Sequence, residues 1–161
     1  MNKAEVISAF VTSFQELAST MLGCNEIERG ELELTKAAGP DAQDGELTGI
    51  ISFSGSDRGT LAVVFPEKTA LKIVGAFMGM EMTEVDDDVT DALGEIVNII
   101  SGAAKTKLPT ADGEPLQLGL PTVIVGKGYT IKSQRMMQWI KVPISCELGD
   151  LCLRITFESF S

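Results

Sequence analysis

Residues 89–108, VTDALGEIVNIISGAAKTKL, have the apolar spacing of a long amphipathic helix. At about 100° per residue, the aliphatic side chains gather on one broad arc, which we expect to face a core. Pro109 follows directly and predicts the end of the helix, because proline cannot continue the helical hydrogen bonds. The predicted core arc consists of Ala92, Leu93, Ile96, Val97, Ile99, Ile100, Ala103 and Ala104.

The opposite side of this helix carries a polar row, whose spacings of four, three, four and three place its members along one face. Two interpretations are open: a solvated surface, or a surface that enters a partner's cleft. Gly94 and Gly102 favour a partner, because glycine costs about 1 kcal/mol relative to alanine in an exposed helix and would leave room for another backbone. The row consists of Asp91, Glu95, Asn98, Gly102 and Lys105.

The segments around this helix have their own periodic patterns. A 3.6-residue period predicts helices, and strict alternation predicts strands. Clusters of Gly, Pro and polar residues predict loops at 38–46 and from the end of the long helix to 121. The predicted helices are 4–22 and 66–78, and the predicted strands are a short one at 31–36, a hairpin at 47–65, a pair at 122–125 and 129–132, and a hairpin at 140–157.

A chain of 161 residues has the size of one domain, so we predict a single domain over 1–161. Each half contains a helix, then strands, then a closing hairpin. This order predicts an internal duplication with halves of about 1–80 and 81–161.

Composition excludes several function classes. The net charge is -10, which disfavours nucleic acid and anionic membrane as partners. Histidine is absent, so triads that use an imidazole base and zinc sites that use imidazole ligands are excluded. No apolar stretch is long enough to span a bilayer, and we predict a cytoplasmic protein.

An acidic run, Asp86 to Asp88, lies just before the long helix. Such a run is typical of a helix N-cap, where acidic groups are favoured by the helix dipole. We therefore predict a helix start here and no metal site.

Four residues of the long helix and the following loop have the spacing of a known family signature. Asp91, Glu95, Asn98 and Pro121 fit the pattern Asp-x3-Glu-x2-Asn-x22-Pro. This pattern resembles the signature of the CheC, CheX and FliY family of chemotaxis phosphatases. The resemblance implies an α+β fold, the CheC-like duplicated α/β fold, with a largely antiparallel sheet and long helices packed on it.

Family members have one or two active helices, and this chain resembles those with one. The first helix carries Thr12, Glu16 and Ser19 at the positions that match Asp91, Glu95 and Asn98. Ser19 thus stands where an active helix has asparagine. The resemblance therefore implies one active site per chain, as in CheX.

The resemblance also implies a function. The substrate would be the phospho-aspartate of a CheY-like response-regulator receiver domain, with Asn98 positioning the attacking water and Glu95 docking on the receiver's lysine. The chain would need no cofactor of its own, since Mg²⁺ is expected in the receiver, and a homodimer is expected. The alternative is a non-catalytic adaptor that binds a receiver.

The remaining site residues have supporting roles in this hypothesis. Asp91 either caps or charges the first helical turn or contacts the partner directly. Gly94, Gly102 and Lys105 are expected to face the partner, and Pro121 is expected to be structural, at the entry to the next strand.

Overall fold

The computed structural model describes residues 1–36, 47–126 and 138–160. Within these ranges the chain forms three helices and eight strands. The helices are α1 (Lys3–Met21), α2 (Glu67–Met78) and α3 (Asp87–Lys105), and the strands are β1 (Ile27–Arg29), β2 (Glu33–Thr35), β3 (Leu47–Ser54), β4 (Gly59–Phe65), β5 (Gln117–Leu118), β6 (Thr122–Val125), β7 (Trp139–Cys146) and β8 (Gly149–Phe157).

All of these strands belong to one sheet in the order β1-β7-β8-β4-β3-β5, with β2 also paired to β7 and β6 to β3. Every described pair is antiparallel. The predicted α+β fold with a largely antiparallel sheet is therefore confirmed.

The three helices share one hydrophobic core with one face of the sheet. Alternate residues of β3, β4, β7 and β8 point into this core, as the period of two requires. Phe10 of α1 meets Phe53 of β3 edge to face, with ring centroids 5.6 Å apart. Phe53 in turn lies 5.7 Å from Phe157 of β8, so aromatic contacts join the first helix to both hairpins.

Each helix lies where the sequence predicts, with its ends shifted by at most three residues. Asp86 is the N-cap of α3, and its carboxylate accepts a 2.9 Å hydrogen bond from the backbone N–H of Val89. Gly79 ends α2 with φ of 72°, a left-handed conformation that favours glycine. None of the helices in the described ranges has both the length and the apolarity to cross a membrane.

Some strands differ from the prediction. Strands β1 and β5 were not expected, since three and two residues are too few to show a period. The predicted loop at 38–46 and the predicted strand at 129–132 lie outside the described residues.

The proposed duplication is compatible with the sheet but stays a prediction. The β3–β4 hairpin belongs to the first half of the chain, and the β7–β8 hairpin belongs to the second. The two hairpins meet at the β4–β8 pair, which gives the symmetric central order β7-β8-β4-β3. A duplicated unit would produce this order.

The position of α3 depends on Gly49 of β3. This glycine is buried on the helix side of the sheet, and a Cβ atom built there would lie 2.5 Å from Cγ2 of Val97. No real Cβ tolerates that distance, so the absent side chain is what lets α3 lie directly on the strand. Valine is stiff in a helix, so it cannot rotate away easily.

We predict that Gly49→Ala lowers the free energy of unfolding by about 1–3 kcal/mol, the usual cost of overpacking a core. Urea denaturation of the purified protein measures this. Shortening the facing residue should relieve the clash. The loss of unfolding free energy in Gly49→Ala/Val97→Ala should therefore be smaller than the sum of the losses in the two single variants. Wild-type stability in Gly49→Ala alone would contradict the close contact.

Candidate functional site

The polar row of α3 faces outward, as the period predicts. Asp91 and Glu95 are exposed, while Asn98, Gly102 and Lys105 are half-buried. Glu95 and Asn98 are three residues apart, so their side chains are neighbours on the helix surface. A carboxylate and a carboxamide therefore point away from the core together.

Neither of these two side chains makes a polar contact with another described residue. Across the described ranges, Glu95 has no ion pair, and neither Glu95 nor Asn98 makes a side-chain hydrogen bond. An exposed carboxylate and an amide have five or more hydrogen-bonding positions between them. These positions are available to solvent or to another molecule.

The corresponding face of α1 is different. Glu16 forms an ion pair with Lys107, with 3.1 Å between Oε2 and Nζ. Lys107 also donates to the carbonyl oxygen of Ala103, at 3.3 Å. The residues of α1 that match the α3 motif thus present a glutamate whose charge is already neutralised and a serine, Ser19, instead of an amide.

The structure corrects the capping role considered for Asp91. Helix α3 begins at Asp87 with Asp86 as its N-cap, so Asp91 is the fifth residue of the helix and lies in the second turn. The acidic charge of the first turn comes from Asp87 and Asp88. Asp91 is exposed beside Glu95, and its direct contact with a partner stays a prediction.

The expectation that Gly94 is open to a partner is wrong. Gly94 is buried, and a Cβ there would lie 3.7 Å from Cγ2 of Val123 and 3.9 Å from Cγ of Pro121. The chain's own loop and strand β6 cover this glycine. Gly102 is different, because nothing in the described structure lies within 4 Å of its built Cβ.

Pro121 precedes β6 and lies near Gly94 of α3, where a built Cβ would be 3.9 Å from its Cγ. Two residues earlier, the N–H of Gly119 donates to the carbonyl oxygen of Ser52 at 2.9 Å. The loop 119–121 is therefore hydrogen-bonded to strand β3 at one end and lies close to α3 at the other. Between these anchors, Leu120 projects outward, 91% exposed. Its exposure was not predicted from the sequence, although its place next to the motif proline was a usable signal.

The described residues contain no group of three or more acidic or cysteine side chains that is placed to hold a metal ion. What the α3 face offers chemically is hydrogen bonding from the amide of Asn98 and negative charge from the carboxylates of Asp91 and Glu95, with Lys105 at the C-terminal turn.

Comparisons with known proteins identify relatives of this arrangement. The family model for the chemotaxis phosphatase CheX matches residues 47–145. The CheY-P phosphatase CheX of Thermotoga maritima is 30% identical over 143 residues, which are 88% of this chain and 88% of that protein.

Solved structures extend the comparison. A CheC-like superfamily protein from Shewanella sp. PV-4 is 30% identical, has a TM-score of 0.82, and aligns over 99% of this chain and 100% of its own. The CheX of Borrelia burgdorferi, solved in complex with CheY, BeF3 and Mg²⁺, is 24% identical with a TM-score of 0.76 over 94% of this chain and 96% of its own, which shows a shared fold. Since the family model covers more than half of the chain and a curated relative is 30% identical over most of both proteins, the chain belongs to the CheX family of chemotaxis phosphatases.

Proposed function

We propose that this chain removes the phosphoryl group from the phospho-aspartate of a CheY-like receiver domain. The observation that carries the proposal is the pair Glu95 and Asn98, which lie one helical turn apart on the outer side of α3 without a partner among the described residues. The similarity to the Thermotoga maritima CheY-P phosphatase supports the same substrate class.

The reaction needs little covalent chemistry from the phosphatase. A phospho-aspartate is an acyl phosphate, and its hydrolysis requires a water molecule in line with the bond between phosphorus and the carboxylate oxygen. Holding that water in place supplies much of the barrier reduction, because positioning replaces a costly loss of translational freedom. Asn98 is the residue we assign to this task.

An amide suits this position better than an acid. The Asn98 carbonyl oxygen can accept a hydrogen bond from the water, and its NH₂ can donate to an oxygen. The amide is neutral, so it does not repel the charged phosphoryl oxygens as a carboxylate would. Asn98 is half-buried on a helix, which restricts the directions in which the amide can point.

We assign Glu95 to docking. Its carboxylate is exposed and would form a charge-assisted hydrogen bond with a lysine in the receiver's phosphorylated pocket. That contact would orient α3 and place Asn98 against the phosphoryl group. Asp91, Gly102 and Lys105 continue the same face and would lie at the border of the interface.

Three further expectations belong to this proposal. Mg²⁺ would be held by the receiver, in keeping with the CheY, BeF3 and Mg²⁺ present in the Borrelia burgdorferi complex. The chain would work in the cytoplasm, where the sequence analysis predicts it. A homodimer would pair two sheets edge to edge, and the border formed by β1 and β2, where Leu34 is 55% exposed, is one place for it.

Substitution of Asn98 tests the catalytic assignment. Asn98→Ala should reduce the acceleration of phosphate release from a phosphorylated receiver about 100-fold, equivalent to about 2.7 kcal/mol, because the water loses its positioning group. Receiver binding should change by less than about threefold. Release of inorganic phosphate under single-turnover conditions measures the first quantity, and titration with the BeF3-activated receiver measures the second.

Glu95 should behave differently, since Glu95→Ala removes the docking contact and should weaken both binding and phosphate release. Glu67→Ala is a matched control, because it removes an exposed glutamate from the first turn of α2. Equal rates for wild type and Asn98→Ala would contradict the catalytic role, and receiver binding without faster phosphate release would support the adaptor alternative.

Two glycines of α3 provide a matched pair. Gly102→Ala and Gly94→Ala should each raise the free energy of unfolding by up to about 1 kcal/mol, because both positions have room for a Cβ. Gly102→Ala should also weaken receiver binding several-fold, since its new methyl group lies on the partner-facing row. Gly94→Ala should leave binding unchanged. Equal receiver affinity for both variants would place the interface elsewhere.

A substitution on the polar face of α1 should not change phosphate release in the same assay. Glu16→Ala breaks an exposed ion pair of the kind that contributes about 0–1 kcal/mol to stability. We expect phosphate release within twofold of wild type and a nearly unchanged melting temperature. A large loss of activity would show that α1 also takes part in receiver binding.

A further inference from the structure

Leu120 is unusually exposed for a leucine. Its side chain is 91% exposed, whereas the other exposed large apolar residues of the described ranges are between 41% and 57% exposed. Single exposed apolar residues are common on protein surfaces. The degree of exposure and the location together distinguish this one.

The backbone around Leu120 is held at both ends. Gly119 donates to Ser52 of β3 at 2.9 Å, and a Cβ on Gly119 would collide with the Ser52 hydroxyl. Pro121 has a fixed φ and lies near Gly94 of α3, with room for one methyl group between them. The loop therefore fits closely against the sheet and the helix, while the leucine side chain itself remains in solvent.

These anchors place Leu120 beside the α3 face. Its neighbour Pro121 lies near Gly94, and Glu95 is the next residue of the helix. A carboxylate, an amide and an exposed aliphatic side chain thus belong to neighbouring parts of one surface. Interfaces commonly combine a buried apolar core with a polar, solvent-accessible rim.

We propose that Leu120 is an apolar anchor for the receiver domain, filling an apolar recess that borders the phosphorylated pocket. This inference rests on the proposed function and adds a residue that determines affinity. Leu120 acts on binding alone, because an aliphatic side chain has no group that can position water or charge. It is therefore expected to affect KM and not kcat.

The experiment compares three variants with wild type. Leu120→Ser should raise both KM for the phosphorylated receiver and Kd for the BeF3-activated receiver about 10- to 100-fold, the range expected when a leucine is no longer buried. Its kcat should stay within twofold, and its melting temperature should not change. Leu120→Met should retain near wild-type affinity. Met80→Ser removes a 57% exposed side chain at the end of α2 and should bind like wild type.

The outcomes separate this inference from the proposed function. An active wild type with unchanged KM and Kd in Leu120→Ser overturns the anchor and leaves the phosphatase intact. A wild type that binds the receiver without releasing phosphate overturns the proposed function, while the Kd values still test the anchor. A loss of self-association in Leu120→Ser, seen by sedimentation at unchanged receiver affinity, would assign the leucine to a second copy of the chain and overturn the inference.

Discussion

The arrangement of the site begins with the contact between Gly49 and Val97. Because β3 has no side chain at this point, α3 lies directly on the sheet, and most of its broad apolar arc is buried in the core. The remaining surface of the helix is then forced outward as one narrow strip. Rotation of α3 by a fraction of a turn would bury part of that strip. The packing of α3 on β3 therefore determines which side chains are exposed to a partner.

The two long helices, α1 and α3, differ in whether their polar side chains are available to bind a partner. On α3, the carboxylate of Glu95 and the amide of Asn98 have no partner in the described residues. On α1, Glu16 is already paired with Lys107, and a serine replaces the amide. A receiver would have to displace an intramolecular ion pair to use α1 and would find the hydroxyl of Ser19 in place of an amide. The chemistry proposed for α3 requires both that the groups are present and that they are unengaged.

Periodicity was sufficient to predict all three helices, both long hairpins and the outward direction of Glu95 and Asn98. The roles of those two residues came from resemblance, since spacing alone does not distinguish a solvated face from a binding face. Contacts distant in sequence could not be predicted. Gly94 was expected to be open because the loop that covers it lies more than 20 residues later, and the partner of Glu16 is 91 residues away. The exposure of Leu120 likewise depends on how its loop lies against β3.

The cap at Asp86 and the position of Pro121 near Gly94 have a consequence for recognition. Both hold the N-terminal half of α3 and the loop beside it in place before any partner binds. Binding then has to immobilise only a few side chains, because the backbone is already held in place. The entropic cost of forming the complex is therefore small. A preorganised surface therefore retains more of its contact energy as affinity for a partner.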